Sequence, residues 1–177
     1  MKSMQSIVWK HGLIAGGILL AAFGITLPLD IHSELIGYTS MVLAFLLVFF
    51  GIRAYREEAG GSIGFGKAFQ VGMLITLVIC AIYVVSWEIV YWGFMPDFLD
   101  KYNANRLAEL RASGATEAAI REAQAKMAQL TKLYANPLFN AGITFMEIFP
   151  VGLIVTLVSA AILRRKRAPG APAVAAA

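Results

Sequence analysis

A lone acid, Glu147, sits in the long apolar stretch from Leu138 to Leu163, three residues before Pro150 and five before Gly152. A carboxyl group in that setting is either neutral or paired, because an isolated charge away from water is costly. Pro150 has no N–H to give the Met146 carbonyl, so a kink and a free acceptor are expected beside the Glu147 side chain. Gly152 adds slack and allows another helix to approach closely. Two readings follow: a proton or cation relay (or ligand contact), and a structural hydrogen bond that holds helices together. Glu88 is the second acid of this kind. It lies about one turn from Trp92, and snorkelling of its carboxyl to the surface is the simpler account. A water-filled pocket shared with Glu147 is the alternative.

Other patterns that could carry chemistry have plainer explanations. Asp30, His32 and Glu34 alternate in a short turn, and Glu88 could reach their level. All three residue types bind metals, but alternation without further partners does not make a ligand set. Gly61-Ser-Ile-Gly-Phe-Gly-Lys67-Ala68 approaches a phosphate-binding loop. Ala68 stands where a Ser or Thr would hold Mg²⁺, and no buried strand precedes the glycines. They read as a turn, with Lys67 at the headgroups. His11 beside Lys10 is an interface residue before it is a catalyst. Cys80 is the only cysteine, which excludes a disulfide framework. No catalytic groups converge, so neither catalysis nor a cofactor or metal is expected.

The elements that position these acids are apolar spans. Of the 177 residues 59% are hydrophobic and 15% charged, with a mean hydropathy of +0.70. Soluble domains carry about 25% charged residues, so the shortfall points to lipid. Uncharged runs predict four membrane-spanning helices over about 9–29, 35–55, 68–94 and 138–163. Cations flank them: Lys2 and Lys10, then Arg53, Arg56 and Lys67, then Arg164, Arg165, Lys166 and Arg167, with none in the short junction 30–34. That asymmetry predicts both termini on the cytoplasmic side. The net charge of +4 serves orientation and anionic headgroups, and nucleic acid is not an expected partner. Trp87, Tyr91 and Trp92, and at the other face Trp9 and Tyr55, suit the headgroup level. The first run is long for a signal-peptide core and is expected to stay.

Between the third and fourth spans, residues 97–135 predict two polar helices broken at Ser113-Gly114-Ala115, an extramembrane helical hairpin. Thr116 is a plausible N-cap and Asn136-Pro137 a stop. Ile120, Ala123, Met127, Leu130 and Tyr134 recur at alternating three- and four-residue steps, an apolar seam of coiled-coil type. Packing on the first helix of the hairpin is the plainer use of that seam; binding another copy or another membrane protein is the sharper one. Gly12 and Gly16, extended by Gly17, Ala21 and Gly24, would let the first span pack tightly on a neighbour.

The block from Ser62 to Thr76, Met95-Pro-Asp-Phe-Leu-Asp-Lys-Tyr102, and above all Glu147-Ile-Phe-Pro-Val-Gly-Leu-Ile154 with Ala161-Ile-Leu-Arg-Arg-Lys166 resemble the bacterial membrane family catalogued as domain of unknown function 4199. The resemblance runs from about Val8 to Lys166. It implies a four-helix integral membrane protein and carries no activity or catalytic residue with it. The expectation is therefore an all-α protein, one membrane domain over 1–167 with a disordered tail at 168–177, in the bacterial inner membrane. Its leading role is that of a non-enzymatic accessory or assembly protein acting by association. A small proton- or cation-coupled carrier or channel component using Glu147 is the alternative, and an outer-face lipid-modifying enzyme a weaker one.

Overall fold

The computed structural model describes residues 3–26 and 34–165, with the side chains of Phe23, Thr26 and residues 34–38 left aside. Asp30, His32, the Glu34 side chain and the tail at 168–177 lie outside the described residues. The described residues form six helices: α1 (Met4–Thr26), α2 (Glu34–Glu58), α3 (Phe65–Gly93), α4 (Phe98–Ala112), α5 (Glu117–Tyr134) and α6 (Pro137–Leu163). The protein is all-helical. Helices suit apolar runs in lipid because they meet every backbone hydrogen bond within one segment. Three are long and apolar enough to cross a membrane: Thr39–Glu58 in α2, the whole of α3 and the whole of α6. Among the described residues α1 is not one of them.

The helices form two compact units, and the division falls inside α3 and α6. One comprises Met1–Tyr83 with Met146–Ala177. Small residues set its packing. A methyl group at Gly12 would stand 2.5 Å from Val78, one at Gly16 would collide with Ile82, and one at Gly152 would meet Thr76 and Phe45 at 2.5 and 2.6 Å. These three glycines let α1, α2, α3 and α6 close on one another. Gly17 and Gly24 face open space. Phe45, Val48, Ile52, Ile75, Ile79 and Ile148 fill the interior. The buried hydroxyls of Thr76 and Thr156 pair at 2.8 Å, so each meets its polar need inside the core.

The end of α6 is tied to the α2–α3 turn. Gly60 and Gly61 take φ of 80° and 81°, a left-handed conformation that glycine adopts without a Cβ clash. The turn then presents Ile63, which exchanges two backbone hydrogen bonds with Arg165 at 3.1 and 2.9 Å. The glycines of the near-miss phosphate loop thus shape a turn and its bridge.

The other unit is Val84–Phe145. Thr116 caps α5, its hydroxyl accepting from the Ala119 N–H at 3.3 Å. Gly114, at φ 76°, makes the turn out of α4. Asn136 accepts from the Leu138 N–H at 2.9 Å and Pro137 opens α6, the position where a missing N–H costs nothing. The helices α4 and α5 lie against each other, with Asn103 Nδ2 donating to Thr131 Oγ1 at 3.1 Å. Glu122 and Lys126 pair at 2.7 Å, and the Lys126 hydrogen bond holds the Glu122 carboxyl below its ordinary range. Among the described residues Glu117 and Arg121 form no ion pair.

Candidate functional site

Glu147 is exposed on the surface of its unit. Its position follows from helix geometry. Thr144, Ile148, Gly152 and Thr156, four residues apart, are all buried. At 3.6 residues per turn Glu147 lies about 140° around the helix from Gly152 and about 100° from Ile148. Seating Gly152 against Thr76 and Phe45 therefore rotates the carboxyl away from the core. It emerges among exposed residues: Met146 and Ile154 are each 61% exposed, and Pro150, Leu157 and Val158 share the face. The helix is continuous through Pro150. Among the described residues the Glu147 carboxyl has no hydrogen bond or ion pair. Tyr83 lies within reach of its charge. Glu147 lies ten positions after the first residue of α6 and sixteen before the last, which places it well inside an apolar span.

Glu88 has a different setting. It is half-buried in the other unit, and one of its carboxylate oxygens accepts from Trp92 Nε1 at 2.8 Å, the one-turn spacing seen in the sequence. The second oxygen is buried without a partner. Close by in the chain, Trp87 Nε1 donates to Asn140 Oδ1 at 3.0 Å. An indole N–H can only donate, so the amide must turn its oxygen to the ring. The amide Nδ2 is thereby left buried and unpartnered, and Asn140 is fully buried. Thr144 Oγ1 donates to the Asn140 backbone carbonyl at 3.0 Å.

Aromatic rings surround this latch. Trp87 and Phe98 meet edge-on with centroids 5.1 Å apart; Tyr91 contacts Trp87, Trp92, Phe98 and Tyr134, and Tyr134 also contacts Phe139. Edge-on and tilted pairs of this kind favour a fixed geometry. The residues expected to form an apolar seam on α5 are divided. Ile120 is buried, Met127 half-buried, Leu130 exposed at 40%, and Tyr134 belongs to the ring cluster.

Asn140 was not singled out from the sequence, and its donor Trp87 was read there only as a headgroup-level aromatic. The signal was available, since an Asn inside an apolar span needs a partner as much as an acid does. The same holds for Thr76 and Thr156. Among the described residues no group of three His, Cys, Asp or Glu side chains could hold a metal.

The chain matches, over residues 10–165, the family described as protein of unknown function DUF4199. It belongs to that family. No curated protein and no solved structure matches it.

Proposed function

We propose that this membrane protein acts by association, as a non-enzymatic accessory or assembly subunit that crosses the bilayer four times with both termini cytoplasmic. In this reading α4 and α5 lie outside the membrane. The observation that carries the proposal is the outward-facing Glu147. A carboxyl group turned to lipid at the middle of a helix costs on the order of 3 kcal/mol on insertion scales. Another polypeptide that covers the Met146–Pro150–Ile154 face and supplies a hydrogen-bond donor removes that cost. The partner is a second copy of the chain or another membrane protein.

The carrier reading would need a polar cavity that reaches Glu147. Two cavities of this unit, between α1 and α2 and between α1 and α3, are lined by other residues. The lipid-enzyme reading turns on Asp30, His32 and Glu34, outside the described residues.

A photo-crosslinking residue placed at Ile154 tests the proposal in membranes and with the purified chain. Association predicts a discrete protein adduct that disappears with Glu147→Leu. An adduct formed by the purified chain identifies a second copy as the partner. Lipid adducts alone, together with proton flux in liposomes that Glu147→Gln abolishes, would sink association in favour of the carrier.

A further inference from the structure

The outer face of α6 presents acceptors in the middle of an apolar span. Pro150 has no N–H, so the Met146 carbonyl lacks the donor that an α-helix normally supplies four residues on. The helix is continuous there, and Met146 and Pro150 are both exposed. The carbonyl carbon of a residue lies between its own Cα and the next, so this oxygen falls between positions 146 and 147 around the helix. Beside it, the exposed Glu147 carboxyl adds two more oxygens. Apolar side chains, among them Ile154 at 61% exposure, complete the face.

A second copy has little to offer these acceptors. Residues 12–29, 35–52, 68–93 and 137–163 contain no Lys, Arg or His. Several of their neutral donors are engaged within the chain. Thr76 and Thr156 pair with each other, the indoles of Trp87 and Trp92 serve Asn140 and Glu88, and Thr144 donates to a backbone carbonyl. The free amide hydrogens of Asn140 are enclosed. A copy related by a two-fold axis through this face would bring its own Glu147 to the same depth, acid against acid.

An arginine on a foreign helix has what the face lacks. Its planar guanidinium carries five N–H donors and no acceptor. Two can serve the carboxylate side by side, and a third can serve the Met146 carbonyl. An arginine in hydrocarbon is itself costly, so each residue relieves the other. The lysine ammonium concentrates three donors at one point and matches the fork less well.

We propose that the Glu147 face docks a transmembrane helix of another protein that carries an arginine near mid-membrane. This partner rests on the association reading and gives it a definite chemistry.

The test places the purified full chain in phosphatidylcholine vesicles with a synthetic Leu-Ala transmembrane helix that has arginine, lysine or leucine at its centre. Energy transfer between dyes on the chain and on the peptide reads association. The arginine helix should bind about tenfold tighter than the leucine helix, the scale of a strong polar contact between helices in a membrane, with the lysine helix between them. Glu147→Gln should remove most of that preference with helix content unchanged. Pro150→Ala returns a donor to the Met146 carbonyl and should bring the arginine helix down to the level of the lysine helix.

Equal binding of the arginine and leucine helices by the unmodified chain overturns the proposal without recourse to any variant, and leaves association by apolar packing standing. So does an arginine preference that survives Glu147→Gln. A purified chain that crosslinks to itself through Ile154 would put a second copy on the face and overturn the basic partner alone. If neither peptide nor copy binds and the Ile154 probe meets only lipid, association itself falls and this partner with it.

Discussion

The two acids inside apolar helices are handled in opposite ways. Glu147 is turned out of its unit, while two polar groups of that unit's interior, Thr76 and Thr156, satisfy each other at 2.8 Å. Glu88 is drawn in, held by Trp92, and its unit keeps two unmet polar atoms inside: one oxygen of Glu88 and the Nδ2 of Asn140. An unmet group on the surface calls for another large molecule, whereas one in the interior calls for something small, and ordered water is the usual solution. A carboxyl in an apolar span therefore carries no single meaning. Its meaning depends on whether helix packing presents it or encloses it.

The largest expected effect falls on the enclosed side. Asn140→Ala would leave the Trp87 N–H buried without an acceptor and remove packed volume. A loss of about 3 kcal/mol in unfolding from mixed micelles is expected; a near-neutral result would mean that water already serves the indole. Glu147→Leu should act in the reverse sense. Insertion of α6 should become easier by about 2 kcal/mol in a translocon assay, with the fold unchanged and any complex dispersed. If the substitution unfolds the unit instead, the carboxyl is a structural bond and the contrast between the acids collapses.

Thr76→Val probes the same contrast from within the first unit. It should cost about 1 kcal/mol, close to the usual worth of an interhelical hydrogen bond in a membrane. Adding Thr156→Val should recover part of that loss, because both partners of the pair are then apolar. Smallest is Glu88→Gln, which keeps an acceptor for Trp92 and should shift stability by no more than about 0.5 kcal/mol. A much larger loss would show that the charge of Glu88 is needed, and would move it into the class of Glu147.

Much of the helical order is legible in the residue pattern alone. Runs without charge locate α2, α3 and α6, and Thr116, Gly114 and Asn136-Pro137 mark helix ends through hydrogen bonds that span only a few residues. Such signals are local, so they survive in a one-dimensional reading. The pair Trp87–Asn140 joins residues 53 apart in the chain. Either residue alone has an ordinary explanation, an interface aromatic or a tolerated polar residue, and only their meeting gives them a role. Gly12 and Gly16 stand out by their four-residue spacing, but that spacing did not show that Gly17 and Gly24 fall outside the packed face. The first two face Val78 and Ile82, and the latter two face open space.

Composition and the placement of charge were enough to make this an all-helical membrane protein, because the burial of backbone polar groups in lipid leaves helices as the natural form for such runs. They were also enough to mark Glu147 as costly. Which way Glu147 points was decided only in three dimensions. The rotation of α6 is set by how Gly152 seats against Thr76 and Phe45, and those contacts draw on α2 and α3 together. A helix turns as a rigid body, so one close approach on its inner face fixes the direction of every side chain on the outer one.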